Sequence, residues 1–127
     1  GLMKKEQLLL ALFAGRGKAG NGPAYVSLFF NRIKDRENES GFDPKIHGSG
    51  DPVEEIRESR DIIDKLRFSS EFITGSIRAG KDVFSAVVAG THIVTVQPNV
   101  IWEMIEHDKT DAFIRECQDK FVKATSQ

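Results

Sequence analysis

Cysteine is almost missing from these 127 residues: Cys117 stands alone. No internal disulfide can form, which suits a reducing, cytoplasmic setting. Cys117 lies in the charged segment Arg115–Asp119 and reads as a helix residue facing a shallow core rather than as a reactive thiol. Long hydrophobic runs are missing too. Leu8–Phe13 falls far short of the ~18–20 residues a membrane span requires, and no signal peptide with a cleavage site precedes it. Charge of one sign is not in excess: 18 basic against 19 acidic residues leave a net charge of −1. That balance excludes the basic face of a nucleic-acid binder and the cationic helix of a membrane-surface protein. His47, His92 and His107 are far apart and show no helical pairing, so no metal site is expected. No P-loop, nucleophile elbow or C-x-x-C occurs, and no cofactor is implied. Gly1-Leu2-Met3 reads as a foreign leader ahead of the natural start.

What is present alternates. Lys4–Ala14 has the apolar spacing of a helix, with Leu8, Leu9, Leu12 and Phe13 on one stripe. Glycine and proline between Gly15 and Pro23 break it. Tyr25–Phe30 is a near-continuous apolar run, the mark of a parallel strand buried on both faces. The polar stretch Lys34–Gly50 predicts a long loop. Pro52 suits the first position of a helix that carries Val53, Ile56, Ile62, Ile63 and Leu66 on one side. Arg57–Asp61 and Asp61–Lys65 are spaced as ion pairs on the other. Glu71–Gly75 is a second strand, Lys81–Ala89 a helix capped by Gly90, and His92–Val96 a third strand. Pro98–Ile105 and Asp111–Lys123 are helices.

The order α-β-α-β-α-β-α-α calls for right-handed crossovers and a parallel sheet in one α/β domain spanning residues 1–127. Two architectures fit: a small three-layer open sheet, or part of a (β/α)8 barrel, whose full form needs ~250 residues. Two strand ends carry polar groups, Ser27-Leu28-Phe29-Phe30-Asn31-Arg32 and Gly75-Ser76-Ile77-Arg78. Each delivers a hydroxyl and an arginine near the C-terminal end of its strand, where parallel α/β folds bind ligands. The guanidinium fork matches phosphate oxygens. By residue type alone, Ser76 serves equally as a helix cap, and Arg32 and Arg78 serve equally as partners of surface carboxylates.

The segment Val26–Ile33 resembles the sixth-strand motif of transaldolases, roughly I-S-P-F-V-G-R-I. Gly75-Ser76-Ile77-Arg78 is similar to that family's seventh-strand A-S-I/F-R, and Ala89–Pro98 to its eighth-strand A-G-A-D-I-V-T-V-P-P. Gly50-Asp51-Pro52 resembles a branch with G-D-P before the same helix. The resemblance covers Lys4 to about Phe121. It implies a partial (β/α)8 TIM barrel, a half-barrel of about three parallel strands with flanking helices. It also implies that Ser27, Arg32, Ser76 and Arg78 hold the phosphate of a sugar phosphate, with Phe29 lining the pocket. Relatives that act as fructose-6-phosphate aldolases place a tyrosine at the position of Phe29, so the match leans to the transaldolase branch. Leu28 replaces a usual proline and Asn31 a frequent glycine. Glu37–Gly48 looks like an insertion, and Gly15–Pro23 is longer than the family's link.

The family reaction transfers a dihydroxyacetone unit between sugar phosphates through a Schiff base on a fourth-strand lysine. Such an amine must be partly desolvated to attack. None of Lys4, Lys5, Lys18, Lys34, Lys45, Lys65, Lys81, Lys109, Lys120 and Lys123 stands inside a strand run. Glu54, Glu55, Glu58, Asp61 and Asp64 read as one solvated helix face, and Asp35 and Asp43 as solvated loop residues. No catalytic residue is assigned, and the chain alone is expected to be inactive. The alternatives are a non-enzymatic binder of a phosphorylated ligand and a self-associating structural fragment. Open sheet edges invite pairing, so a homo-oligomer or a complementary N-terminal half-barrel is expected as partner.

Overall fold

The computed structural model describes residues 1–15 and 22–126. Three parallel strands, β1 (Tyr25–Phe29), β2 (Glu71–Gly75) and β3 (Ile93–Val94), form one open sheet in the order β1-β2-β3. Helices follow each strand: α2 (Phe30–Asn38), α3 (Pro44–His47) and α4 (Pro52–Lys65) after β1, α5 (Gly80–Ala89) after β2, and α6 (Pro98–Ile105) and α7 (Asp108–Thr125) after β3. Helix α1 (Lys5–Ala14) precedes the sheet. An open parallel sheet flanked by helices is the arrangement of part of a (β/α)8 barrel.

The core lies between the sheet and the helices. Val26 and Leu28 of β1 and Phe72 of β2 point into it, where they meet Leu8 and Leu12 of α1 and Ile56 and Ile63 of α4. Alternation puts Tyr25, Ser27 and Phe29 on the opposite face, with Ile73 and Gly75 of β2 beside them in register. Leu2 extends the sheet past β1: its N–H donates to the Ser27 carbonyl at 2.7 Å, and its carbonyl accepts from Phe29 N–H at 3.1 Å. Leu2 therefore pairs as a strand residue beside β1.

Helix ends explain the connections. Asp51 accepts from Val53 N–H at 2.9 Å and Pro52 fills the first helical position, as the sequence predicts for α4. Gly90 closes α5 at φ +115°, a conformation a side chain would resist. The polar stretch after β1 is not the loop expected from its composition. Phe30 and Ile33, buried at helical spacing, fold it into α2 while its charged residues stay in water. Farther on, Asp43 caps α3 through Lys45 N–H, with Pro44 next in line.

Other expectations need correction. Among the described residues the ion pair formed within α4 is Arg60–Asp64, at 3.0 Å, in place of the expected Arg57–Asp61 and Asp61–Lys65. Cys117 is exposed on α7 and faces no core. Helix α7 begins three residues earlier than its spacing suggests, and no described residue of it is buried, although Phe113, Ile114, Phe121 and Val122 are apolar. The break between Arg16 and Asn21, Lys18 included, lies outside the described residues.

Within α4, the Ser59 hydroxyl is fully buried and has no hydrogen-bond partner among the described residues. A stranded polar group costs stability, and alanine is the better helix former. Ser59→Ala is expected to stabilise the fold by roughly 1 kcal/mol, seen as a higher midpoint in thermal or urea unfolding.

Candidate functional site

Parallel register brings the C-terminal ends of β1 and β2 level, with Phe29 opposite Gly75. The site is built around that pair. Gly75 leaves room for it: a side chain there would meet Phe29 and Thr95 Oγ1 at 3.3–3.5 Å. Ser27 lies on the same face as Phe29, two residues earlier, so the parity expected from the sequence is observed. Arg32, in the first turn of α2, lays its guanidinium 4.9 Å from the centre of the Phe29 ring. A helix thus delivers Arg32, not a strand end. Ser76 follows β2 in a left-handed conformation at φ +59°, and with Thr95 and Gln97 it lines a shallow depression of about 160 Å³. It is not a helix cap, since Ala79 holds that position for α5.

Arg78 is engaged. Its guanidinium grips the Asp35 carboxylate with two hydrogen bonds, 2.9 and 2.6 Å long. Asp35 is a residue of α2, not of a loop, and its partner stands 43 positions away in sequence. Hydrogen bonding by Arg78 holds the Asp35 carboxyl below the usual carboxylate range, and the charges of Arg78 and then Arg32 add to the effect. Arg78 thus grips Asp35 directly, and Arg32 acts on it only through its charge. Among the described residues no carboxylate lies within ion-pair distance of Arg32.

The depressed Asp35 pKa fixes the sign of a pH effect. The pair contributes stability above the ordinary carboxyl pKa of 3.8, and the contribution is lost as pH falls through the lower folded value. Acid unfolding of Arg78→Ala is expected to lack this loss. The difference will be small, because the two side chains are 56% and 46% exposed.

Behind the turn, Asn31 and Asp82 are buried, at 8% and 5% exposure, and hydrogen-bonded to each other at 3.0 Å. Lys34 Nζ stands 3.8 Å from the second Asp82 oxygen and 5.5 Å from the Phe30 ring centre. His92 is spent on structure: its Nδ1 accepts from Phe72 N–H at 2.9 Å. Among the described residues no group of histidine, cysteine and acidic side chains is arranged to hold a metal, and no helix is long and apolar enough to cross a membrane.

Serine and arginine at the ends of two adjacent parallel strands reproduce the order of the motifs read from the sequence, and a family model for transaldolase/fructose-6-phosphate aldolase matches residues 2–127. The chain belongs to the transaldolase/fructose-6-phosphate aldolase family. It is similar to a probable transaldolase of Symbiobacterium thermophilum, 33% identical over 102 residues, which cover 80% of this chain and 40% of that protein. A probable transaldolase of Desulforudis audaxviator is 31% identical over 118 residues, 93% of this chain and 46% of the relative. One from Clostridium botulinum is 30% identical over 114 residues, 90% and 45%. The chain spans less than half the length of the curated relatives it matches.

Of the four residues that the family motifs single out, Arg78 pairs with Asp35 of α2, Arg32 lies over the Phe29 ring one turn earlier on that helix, Ser76 sits on the turn between β2 and α5, and Ser27 lies farther down the sheet face beside Ile73. Sequence reasoning missed Asp35, Asn31 and Asp82 as parts of this arrangement. The spacing of Phe30 and Ile33, had it been weighed as a helix signal, would have put Asp35 one turn beyond Arg32 on the site side.

Proposed function

We propose that this chain is the phosphate-binding half of a transaldolase-type barrel, its single domain spanning residues 1–127. Ser27, Arg32, Ser76 and Arg78 hold the phosphate of a sugar phosphate, and Phe29 lines the pocket. The observation that carries the reading is the pairing of Arg78 with Asp35 of α2, the helix whose first turn carries Arg32 over Phe29. An anion already occupies the Arg78 guanidinium, and a phosphate, with more charge and more acceptor oxygens, takes that place by displacing it and engages Arg32 as well.

The reaction of the complete barrel is transfer of a dihydroxyacetone unit between sugar phosphates, a step of pentose-phosphate carbohydrate metabolism that takes place in the cytoplasm. This chain supplies binding and not the nucleophile: strands β1 to β3 carry no lysine. Neither a metal nor a cofactor enters. The partner is a complementary N-terminal half-barrel, whose strand would run along β1 where Leu2 already pairs in parallel. The greater length of the relatives supports this. A second reading, a homo-oligomer of this chain, is favoured by the uncovered apolar side of α7.

Calorimetric titration with inorganic phosphate and fructose 6-phosphate tests the binding role, and borohydride trapping tests the missing nucleophile. Saturable binding with no reduced adduct is expected. A covalent adduct would refute the inactive reading, and no binding of either ligand would refute the phosphate site. Sedimentation of the same preparation distinguishes a lone chain from a homo-oligomer.

A further inference from the structure

Ser76 and Arg67 are the only non-glycine residues with positive φ among those described. A serine held at φ +59° is strained, so something must fix it there. The Ser76 carbonyl accepts two hydrogen bonds, both from Asn31: the backbone N–H at 3.2 Å and the side-chain Nδ2 at 2.8 Å. The second hydrogen of that amide goes to Asp82 Oδ2 at 3.0 Å. Both amide hydrogens are thereby used, and the side chain has one orientation only. Asp82 belongs to the first turn of α5 and Asn31 to the first turn of α2. The chain of bonds from Asp82 through Asn31 to Ser76 thus ties together the starts of two helices and the turn between β2 and α5.

We propose that Asn31, oriented by Asp82, is a positioning residue that holds the Ser76 turn left-handed and so aims the Ser76 hydroxyl and the Arg78 guanidinium into the ligand site. The inference rests on the phosphate-site reading above. Its logic is geometric. Arg78 follows Ser76 by two residues, so a change of Ser76 to an ordinary backbone conformation would swing Arg78 away from Asp35 and α2. Core packing alone would not require Asn31 to reach that carbonyl with its side-chain amide as well as its backbone N–H.

Two measurements on the full chain test it. The first is a stability cycle with Asn31→Ala, Ser76→Gly and the double variant. Glycine takes positive φ without strain, so it removes the need for the clamp. The cost of leaving Asp82 unpaired is common to both backgrounds and cancels. Asn31→Ala is expected to raise the unfolding constant about fivefold less in the Ser76→Gly background than in the parent. Equal effects in the two backgrounds overturn the clamp.

The second measurement is titration with inorganic phosphate. Asn31→Ala and Asp82→Ala are expected to weaken binding roughly tenfold, the size of a mispositioned charge-assisted contact. Asp82→Asn, whose oxygen still accepts from Asn31, should retain affinity within about twofold. Unchanged affinity in Asn31→Ala overturns the positioning role, and loss in Asp82→Asn equal to that in Asp82→Ala assigns the effect to charge and overturns it too. A parent that binds no phosphate overturns the site reading, and the positioning role with it, whatever the cycle shows. Should Asn31→Ala not fold, Asn31→Ser, whose hydroxyl is too short to reach the carbonyl, replaces it.

Discussion

The Arg32→Ala, Arg78→Ala double variant is expected to lose phosphate binding, with the dissociation constant raised roughly 100-fold or beyond the measurable range. Each guanidinium offers charge-assisted hydrogen bonds to the same anion, and either single variant should cost roughly tenfold. The two losses should be close to additive if each arginine contacts its own oxygens. Asp35 makes the expectation sharper. In the unliganded chain it occupies Arg78 with two hydrogen bonds, so it competes with phosphate for that guanidinium. Asp35→Asn is therefore expected to tighten phosphate binding, by up to about fivefold, the limit set by an exposed ion pair. Loss of affinity in Asp35→Asn would mean that the carboxylate organises the arginines rather than competing for them. No effect in the double-alanine variant would mean that the phosphate, if bound at all, is bound elsewhere.

The largest stability effect is expected at Glu55. This side chain is fully buried on α4, and its two oxygens accept from Lys5 N–H at 2.7 Å and Ser49 N–H at 2.9 Å. Helix α1 has no side-chain cap of its own, so Glu55 supplies one from 50 positions away and at the same time fixes the segment before α4. Glu55→Ala leaves two part-buried donors without their partner, at about 1–3 kcal/mol each, a total of roughly 2–6 kcal/mol. Against a typical domain stability of about 5–15 kcal/mol, such a loss is severe. Glu55→Gln keeps one acceptor oxygen and is expected to lose about half as much. Glu54→Ala, next to it on the same helix, should stay within about 0.5 kcal/mol of the parent. Urea unfolding of the three variants checks this, and equal midpoints for Glu54→Ala and Glu55→Ala would contradict it.

Glu55 also marks the limit of what the sequence discloses. It stands among Glu54, Glu58, Asp61 and Asp64, and nothing local separates it from a solvated carboxylate. Its burial comes from donors on α1 and on the Ser49 segment that only the tertiary fold brings near. The Asp35–Arg78 pair, 43 residues apart, escaped notice for the same reason. By contrast, features set by local rules were legible. Glu71–Gly75 is placed to the residue, α6 likewise, and α4 and α5 by the signals at Pro52 and Gly90. The stretch between Phe30 and His47 failed because polar composition outweighed a weak helical signal. Two buried residues, Phe30 and Ile33, suffice to anchor α2, and α3 is a single capped turn.

At the site, Arg32 and Arg78 are singled out by residue type and motif, and the fold places one in the first turn of α2 and the other in a pair with Asp35 of the same helix. Chemistry concentrated at strand ends is visible in sequence because parallel α/β folds always expose those ends. The hydrogen bonds that join Asp82, Asn31 and the Ser76 carbonyl were not visible. Asn31 read only as a departure from a common glycine, and Asp82 was one acidic residue among many.

The most direct measurement is an NMR titration of the full chain with inorganic phosphate, following the Nε–Hε signals of Arg32 and Arg78. Both signals are predicted to shift together along one saturating curve with a single dissociation constant. Movement of only one of them, or of neither while phosphate binds, would contradict the shared site.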